Sequence, residues 1–247
     1  MDVSILIFFF NVKKKLAKND TVELIESHDL QVCHYTGYGA NEIKKMGYSP
    51  DAFVQMAMQL ATYRLWDGHQ AGTYEATQTR TFLHGRTETT RSVSPESAQF
   101  CHVMNHPSTN EEQRNCLKQA AQVHSTFTRD AANGQGVDRH LLGLSYMVDD
   151  TMPDLFQDAL YKKAKTWRVS TSHLTHPKFD NWGYGEVVPD GVGLAYSILN
   201  DSCVFNITAL KQHEWTHKLS SLLEEALVEM KSLHDDDTTP TSSRSKL

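Results

Sequence analysis

The chain has 247 residues, of which 39% are apolar and 22% charged, and its formal net charge at pH 7 is −6. These proportions are ordinary for a globular protein of one large domain or two small ones, and the negative charge without a Lys/Arg stripe excludes an obvious nucleic-acid-binding surface. The four cysteines show neither a paired metal spacing nor a disulfide framework, which favours a reducing compartment. They are Cys33, Cys101, Cys116 and Cys203.

The first 20 residues differ in character from the rest of the chain. Val3–Val12 is a short apolar run that is followed by Lys13–Lys15. The run is too short to span a bilayer, which needs about 20 residues, and a secretory signal places its positive charge before the apolar run. Residues 1–20 are therefore predicted to be an atypical segment outside the folded domain, with a weak membrane anchor as the alternative.

Two long helices are predicted in the first half of the domain. Ser49 is typical of an N-cap and Pro50 of the first helical position. A second helix is predicted to begin at a capping box formed by Ser108 and Glu111 and to end at Asn133. Apolar residues recur at helical spacing in both segments: Phe53, Met56, Leu60 and Tyr63 in the first, and Leu117, Ala120, Ala121, His124 and Phe127 in the second.

Three strands and a last helix are predicted in the second half. The strands cover residues 167–170, 192–199 and 203–207, with a turn at Asn200-Asp201 between the last two. The helix has an apolar face that runs from Trp215 to Leu233. Strands mixed with long helices and no internal repeat predict an α/β fold, and the domain is predicted to span residues 21–234.

Residues 235–247 are predicted to be a disordered tail, because the stretch has almost no apolar residue on which to fold. The tail ends in Ser245-Lys246-Leu247, the tripeptide that the peroxisomal import receptor recognises at a free carboxylate. We therefore predict the import receptor as a partner and the peroxisome as the location.

Residues 72–92 are rich in hydroxyl and guanidinium groups and poor in aliphatic side chains. Such groups suit a small anion, because several donors that converge on a carboxylate form charge-assisted hydrogen bonds. The sequence therefore predicts an anion-binding segment here.

The same stretch resembles a motif region of the choline/carnitine acyltransferase family, most closely its carnitine acetyltransferase branch. Five motifs follow in the family's order between about Leu24 and Lys231: Ser49–Phe53 with Gln59–Arg64, Tyr74–Ser92, Asp138–Leu141, Ser170–Ser172 and Gly185–Gly193. The resemblance implies a chloramphenicol-acetyltransferase-like (CoA-dependent acyltransferase) fold, a mixed sheet packed with helices. It also implies reversible transfer of a short acyl group between coenzyme A and the carnitine hydroxyl.

The resemblance assigns Tyr74, Thr87 and Arg139 to the carboxylate of carnitine. Hydrogen bonds to charged groups contribute about 1.5–3 kcal/mol each. The choline branch lacks the Thr-Glu-Thr run and this arginine, so carnitine is predicted rather than choline, which has no carboxylate.

Three further residues receive roles from the resemblance. Ser172 is expected to stabilise the oxyanion of acyl transfer with its hydroxyl, and Tyr184 to lie near the trimethylammonium group, which favours an aromatic face. Trp182 stands where long-chain relatives have a glycine, so its indole is expected to close the acyl channel and restrict the pocket to short groups.

Coenzyme A and its acetyl ester are expected as substrates, without a permanently bound cofactor or metal. The resemblance assigns Lys44, Asp51 and His173 to the coenzyme A site. The family has a second lysine where this chain has Ala40, and it often has glutamine where this chain has His173. The missing lysine predicts weaker coenzyme A binding, and His173 is a second departure from the family's pattern.

The family's general base is a histidine in the domain that precedes the region matched here, and none of the 13 histidines lies in that motif. We therefore expect the chain to correspond to a C-terminal domain that is inactive alone. The alternative is a non-catalytic truncated paralogue that binds carnitine, coenzyme A or a full-length partner.

His213–His217 matches the His-Glu-x-x-His pattern of zinc peptidases, in which two ligands lie one helical turn apart. On a continuous helix both histidines would point away from the apolar stripe around Trp215. A peptidase is therefore only a remote alternative, and a solvated helix face is the favoured interpretation.

Overall fold

The computed structural model describes residue 14, residues 17–176 and residues 178–235. Six strands form one mixed sheet in the order β1-β6-β5-β4-β2-β3. Strand β4 is parallel to both of its neighbours, β2 and β5, and the other adjacent pairs of strands are antiparallel. The strands are β1 (His28–Tyr35), β2 (Gly72–Gln78), β3 (Thr87–Thr90), β4 (Trp167–His173), β5 (Val192–Ile198) and β6 (Cys203–Leu210).

Helices of very different length connect these strands. A helix over residues 17–27, here α1, precedes β1 and runs across residue 20, the end of the predicted N-terminal segment. The others are α2 (Ala40–Lys45), α3 (Pro50–Leu65), α4 (Pro95–Asn105), α5 (Asn110–Ala132), α6 (Asp138–Tyr146), α7 (Asp154–Gln157), α8 (Ala159–Lys165) and α9 (Trp215–Ser232). Within the described ranges, no helix combines the length and apolarity needed to cross a bilayer.

The core lies between one face of the sheet and the helices α3, α5 and α9. We call this face the helix face. Its strand residues alternate with those of the opposite face because side chains in a strand point up and down in turn, and Phe205, Leu194 and Tyr196 on it are fully buried. Residues 178–191 cover part of the opposite face, which we call the loop face, where the Tyr184 hydroxyl donates to the carbonyl of Ser170 at 2.7 Å.

The predicted α/β class with helices on a mixed sheet is confirmed, and so are the long helices and the three later strands. The predicted N-cap of the second long helix, Ser108, was wrong by one residue. Thr109 is the N-cap of α5 and its hydroxyl accepts from the backbone N–H of Glu112 at 3.2 Å. The hydroxyl of Ser108 instead donates to the carbonyl of Val103 near the end of α4 at 2.6 Å, so the neighbouring threonine takes the cap.

Candidate functional site

Tyr74, Thr87 and Arg139 lie together at the β2–β3 edge of the sheet. The Arg139 guanidinium donates to the hydroxyl oxygen of Thr87 at 3.3 Å and to that of Tyr74 at 3.5 Å. It also donates through Nε to the Thr87 carbonyl at 3.2 Å. Tyr74 is held from its other side by the ring of Trp167, with the centroids 4.6 Å apart.

This arrangement suits an anion. Arginine has only donors, so both hydroxyls act as acceptors toward Arg139 and keep their own protons for a ligand. A carboxylate placed there would meet two hydroxyl donors and a guanidinium, and no carboxyl side chain of the described chain bonds to the guanidinium.

Ser172 and Tyr74 point to the same face of the sheet. Ser170 is the register partner of Tyr74 on the neighbouring strand β4, and Ser172 follows two residues later on that strand, so its side chain also faces the loop face. The hydroxyl of Ser172 is partly exposed, and the hydrogen bonds among the described residues leave it unengaged. The Ser172 hydroxyl therefore lies on the same face of the sheet as Tyr74, two residues further along β4 than the register partner of Tyr74.

Tyr184 and Trp182 belong to the covering segment on the loop face. The Tyr184 hydroxyl also donates to the Leu194 carbonyl, at 3.2 Å, and burial raises its pKa. The rings of Trp182 and Tyr184 lie 5.7 Å apart, and the carbonyl of Trp182 accepts from the amide of Asn206. The Tyr184 side chain is therefore held against strands β4 and β5, and the backbone of Trp182 is held against β6.

The three residues assigned to coenzyme A divide into a pair and a separate lysine. Asp51 Oδ1 lies 3.5 Å from His173 Nδ1 and accepts from the Tyr196 hydroxyl at 2.6 Å. Burial lowers the pKa of His173, and the charge of Asp51 only partly opposes it. Lys44 is exposed in the last turn of α2, and no described contact joins it to the other two.

A buried polar cluster between the sheet and the helices was missed by the sequence analysis. His124 of α5 bonds through Nε2 to Glu75 Oε2 at 2.6 Å, and the two side chains are 2% and 5% exposed. Gln55 of α3 donates to the hydroxyls of Thr171 and Tyr196, at 2.9 Å each. The sequence offered one signal for this cluster. Asp51 and Gln55 are polar and four residues apart in α3, so they lie on one face of that helix.

The pKa values of Glu75 and His124 are both raised above their ordinary values. Burial raises the pKa of Glu75 to about 7, the charge of Asp51 adds to the rise, and the bond and charge of His124 oppose it. Burial lowers the pKa of His124, but the hydrogen bond and charge of Glu75 outweigh it and the pKa is raised overall.

Ligand atoms of Asp51, Glu75 and His124 all lie within 4.8 Å of one another. Carboxylate and imidazole are common ligand types for divalent cations. His124 Nε2 and Glu75 Oε2 already bond to each other, whereas His124 Nδ1 is buried without a hydrogen-bond partner among the described residues.

The zinc-peptidase pattern is not presented on a continuous helix. Helix α9 begins at Trp215, His213 ends a short 3-10 turn, and Glu214 between them has a left-handed backbone with φ of 54°. The His213 ring stacks on Trp215 with centroids 4.1 Å apart, and its Nε2 contacts the Pro189 carbonyl at 2.8 Å. The helical-wheel argument assumed a helix through 213–217 and was wrong on that point. The pattern nevertheless lacks the one-turn ligand geometry that a peptidase needs.

Residues 11–225 match the family model described as choline/carnitine O-acyltransferase. The mitochondrial carnitine O-acetyltransferase of Saccharomyces cerevisiae is 45% identical over 189 residues, which are 75% of this chain and 28% of the relative. Carnitine O-acetyltransferase of Columba livia is 37% identical over 223 residues, 88% of this chain and 35% of the relative. Peroxisomal carnitine O-octanoyltransferase of Homo sapiens is 38% identical over 200 residues, covering 76% and 32%.

The chain spans about a third of the length of these curated relatives. Among solved structures, a condensation domain of the enacyloxin polyketide synthase superposes with a TM-score of 0.47 and 10% identity, covering 87% of this chain and 43% of that one. A wax ester synthase/diacylglycerol acyltransferase from Marinobacter aquaeolei VT8 gives a TM-score of 0.43 and 13% identity, covering 83% and 49%.

Proposed function

The chain belongs to the choline/carnitine O-acyltransferase family, and we propose that it provides the carnitine-binding part of a carnitine O-acetyltransferase-type active site. The observation that supports this most is the group formed by Tyr74, Thr87 and Arg139, whose donors converge at one edge of the sheet. Carnitine has a carboxylate for this group and choline does not.

The proposed reaction moves a short acyl group reversibly between the sulfur of coenzyme A and the hydroxyl oxygen of carnitine. Attack of the hydroxyl oxygen on the thioester forms a C–O bond and places negative charge on the carbonyl oxygen. Ser172 would donate to that oxygen, because a donor aimed at the developing negative charge stabilises the transition state of acyl transfer. Collapse of the intermediate then breaks the C–S bond and releases the thiolate.

The aromatic residues on the loop face would set the identity of both substrates. The ring of Tyr184 would lie near the trimethylammonium group, because an aromatic face attracts a quaternary cation. The indole of Trp182 would limit the acyl pocket to acetyl or another short group. Coenzyme A would be met by Asp51 and His173, which adjoin each other, and by the exposed Lys44.

The carnitine hydroxyl must lose its proton during this reaction, and the described contacts of Tyr74, Thr87 and Arg139 include no histidine. We therefore propose that the general base comes from outside this group, and that the 247-residue chain alone binds carnitine with little acyl transfer. A general base contributes about 10²–10⁴-fold in rate. A carnitine-binding paralogue without activity is the second candidate, and the same contacts support it.

Two measurements on the purified chain test this proposal. Calorimetry should show binding of L-carnitine that is at least roughly tenfold tighter than binding of choline, since one charged hydrogen bond contributes about that much. An acetyl-coenzyme A and carnitine assay should give a rate at least about 10²-fold below that of a full-length relative. Equal affinity for choline would contradict the carboxylate site, and a full rate would contradict the external base.

We also propose delivery to the peroxisome through Ser245-Lys246-Leu247, which lies outside the described residues. Expression with an N-terminal fluorescent tag should show punctate co-localisation with a peroxisomal marker, and removal of the tripeptide should disperse it. Mitochondrial fluorescence, or puncta that persist after the removal, would contradict the proposal.

A further inference from the structure

Helix α6, which provides Arg139, begins without a cap of its own. Its N-cap residue is Val137, whose side chain offers no acceptor, although the first N–H groups of a helix have no partner within the helix. The helix has nine residues, none of them buried. Since short helices depend on packing of an apolar face for stability, the position of α6 must depend on other contacts.

Glu88 of β3 supplies the missing acceptor. Its two carboxylate oxygens accept from the backbone N–H of Arg139 at 3.2 and 3.3 Å, and Oε1 also accepts from the N–H of Thr89 at 2.6 Å. Glu88 is 6% exposed, so water competes little for these bonds. Gly136 makes the approach possible, because a Cβ at that position would lie 2.2 Å from Glu88 Cγ.

Arg91 fixes the preceding residue of the same helix. Its guanidinium forms a two-pronged ion pair with both carboxylate oxygens of Asp138, the first residue of α6, and it also donates to the Ala164 carbonyl. Such paired contacts fix orientation as well as distance. Charged groups of β3 and of the segment after it therefore hold two consecutive residues at the start of α6.

We propose that Glu88 and Arg91 are positioning residues for Arg139, and that Glu88 thereby determines selectivity for a carboxylate-bearing substrate. The inference rests on the proposed function. The Arg139 contacts to Thr87 and Tyr74, at 3.3 and 3.5 Å, are already near the upper limit of a hydrogen bond. A small displacement of α6 would therefore break them without any contact between Glu88 and the substrate.

The alternation of strand β3 explains how one short run performs both tasks. Thr87 and Glu88 are neighbours and therefore point to opposite faces of the sheet. Thr87 meets the guanidinium of Arg139, and Glu88 meets the backbone of the same residue. The run thus contacts Arg139 at its backbone N–H and at its guanidinium.

The test compares Glu88→Ala and Glu88→Gln with a control, Glu225→Ala, on the exposed side of α9. Hydrogen exchange of residues 138–146 is measured without ligand, and binding of L-carnitine and of choline is measured by calorimetry. Glu88→Ala should speed exchange in α6 and weaken carnitine binding about tenfold with less than about a twofold change for choline. Glu88→Gln keeps an acceptor oxygen and should therefore retain most of the slow exchange in α6 and most of the carnitine affinity.

Unchanged exchange in α6 of Glu88→Ala would overturn the capping role. Equal losses for carnitine and choline would overturn the selectivity role, since a merely structural defect would lower both. If the unmutated chain bound no carnitine, the proposed function and the selectivity role would fall together. The exchange result would then decide separately whether Glu88 positions Arg139.

Discussion

Arg139→Ala is expected to weaken carnitine binding by at least about 100-fold while choline binding changes by less than about twofold. The guanidinium is placed to make charged hydrogen bonds to a carboxylate beside Tyr74 and Thr87. Each such bond contributes about 1.5–3 kcal/mol, and two of them correspond to the expected loss. Calorimetric titration of the purified chain with both ligands measures the ratio.

Arg86→Ala is the matched control for this prediction. Arg86 is an exposed arginine just before β3 whose side chain makes no hydrogen bond or ion pair with the described residues, so its replacement removes the same charge from the same region. Arg139→Lys should give an intermediate loss, because lysine keeps the charge but not the planar fork of donors. Similar losses of carnitine affinity in Arg86→Ala and Arg139→Ala would show a general effect of charge and would contradict the proposed carboxylate site.

The elements that could be predicted from sequence are those whose pattern is local. Helix α3 and strands β5 and β6 have apolar residues at the spacing of their own secondary structure, and these are buried as expected. Strands β2 and β3 were not predicted as strands, because the residues they bury are polar. Glu75, Thr77 and Glu88 point to the helix face and are satisfied by partners that no local pattern reveals.

The residues proposed to bind carnitine were identified only because motifs in a known order place them. Tyr74 and Arg139 are 65 residues apart in sequence, and nothing in either neighbourhood alone distinguishes them from ordinary surface residues. The supporting contacts were missed for the same reason. His124 occupies the apolar face of α5, where it looks like one more core residue, until the sheet brings Glu75 to within 2.6 Å.

His124→Leu is expected to lower the free energy of unfolding by about 1–3 kcal/mol, the cost of leaving a buried hydrogen-bonding group without its partner. Glu75 would be left buried without its main partner and close to the carboxylate of Asp51. In the double variant Glu75→Met/His124→Leu no charge is stranded, so most of the loss should be recovered. Denaturant unfolding of the unmutated chain, the single variant and the double variant measures the loss and its recovery. Equal stabilities for the single and double variants would contradict the proposed interaction between Glu75 and His124.

The same pair predicts how stability depends on pH. The folded-state pKa of Glu75 is raised from 4.5 to about 7, and that of His124 is raised above 6.5, so the folded protein binds protons more tightly than the unfolded chain. The stability that the pair contributes is therefore complete below about pH 4.5 and is lost as the pH rises through about 7, with a slope of up to about 1.4 kcal/mol per pH unit for each proton. The lowered pKa of nearby His173 acts in the opposite direction.

Subtracting the stability of the double variant from that of the unmutated chain isolates the pair, because Asp51, His173 and Tyr196 face the cluster in both proteins. The difference should decrease steadily between about pH 5 and pH 8. A difference that stays flat between about pH 5 and pH 6 and falls only at higher pH would mean that Glu75 is held as a carboxylate by a charged His124, whose own raised pKa causes the later fall. The cluster would then be an ion pair at pH 5, and the assignment of a raised pKa to Glu75 would be wrong.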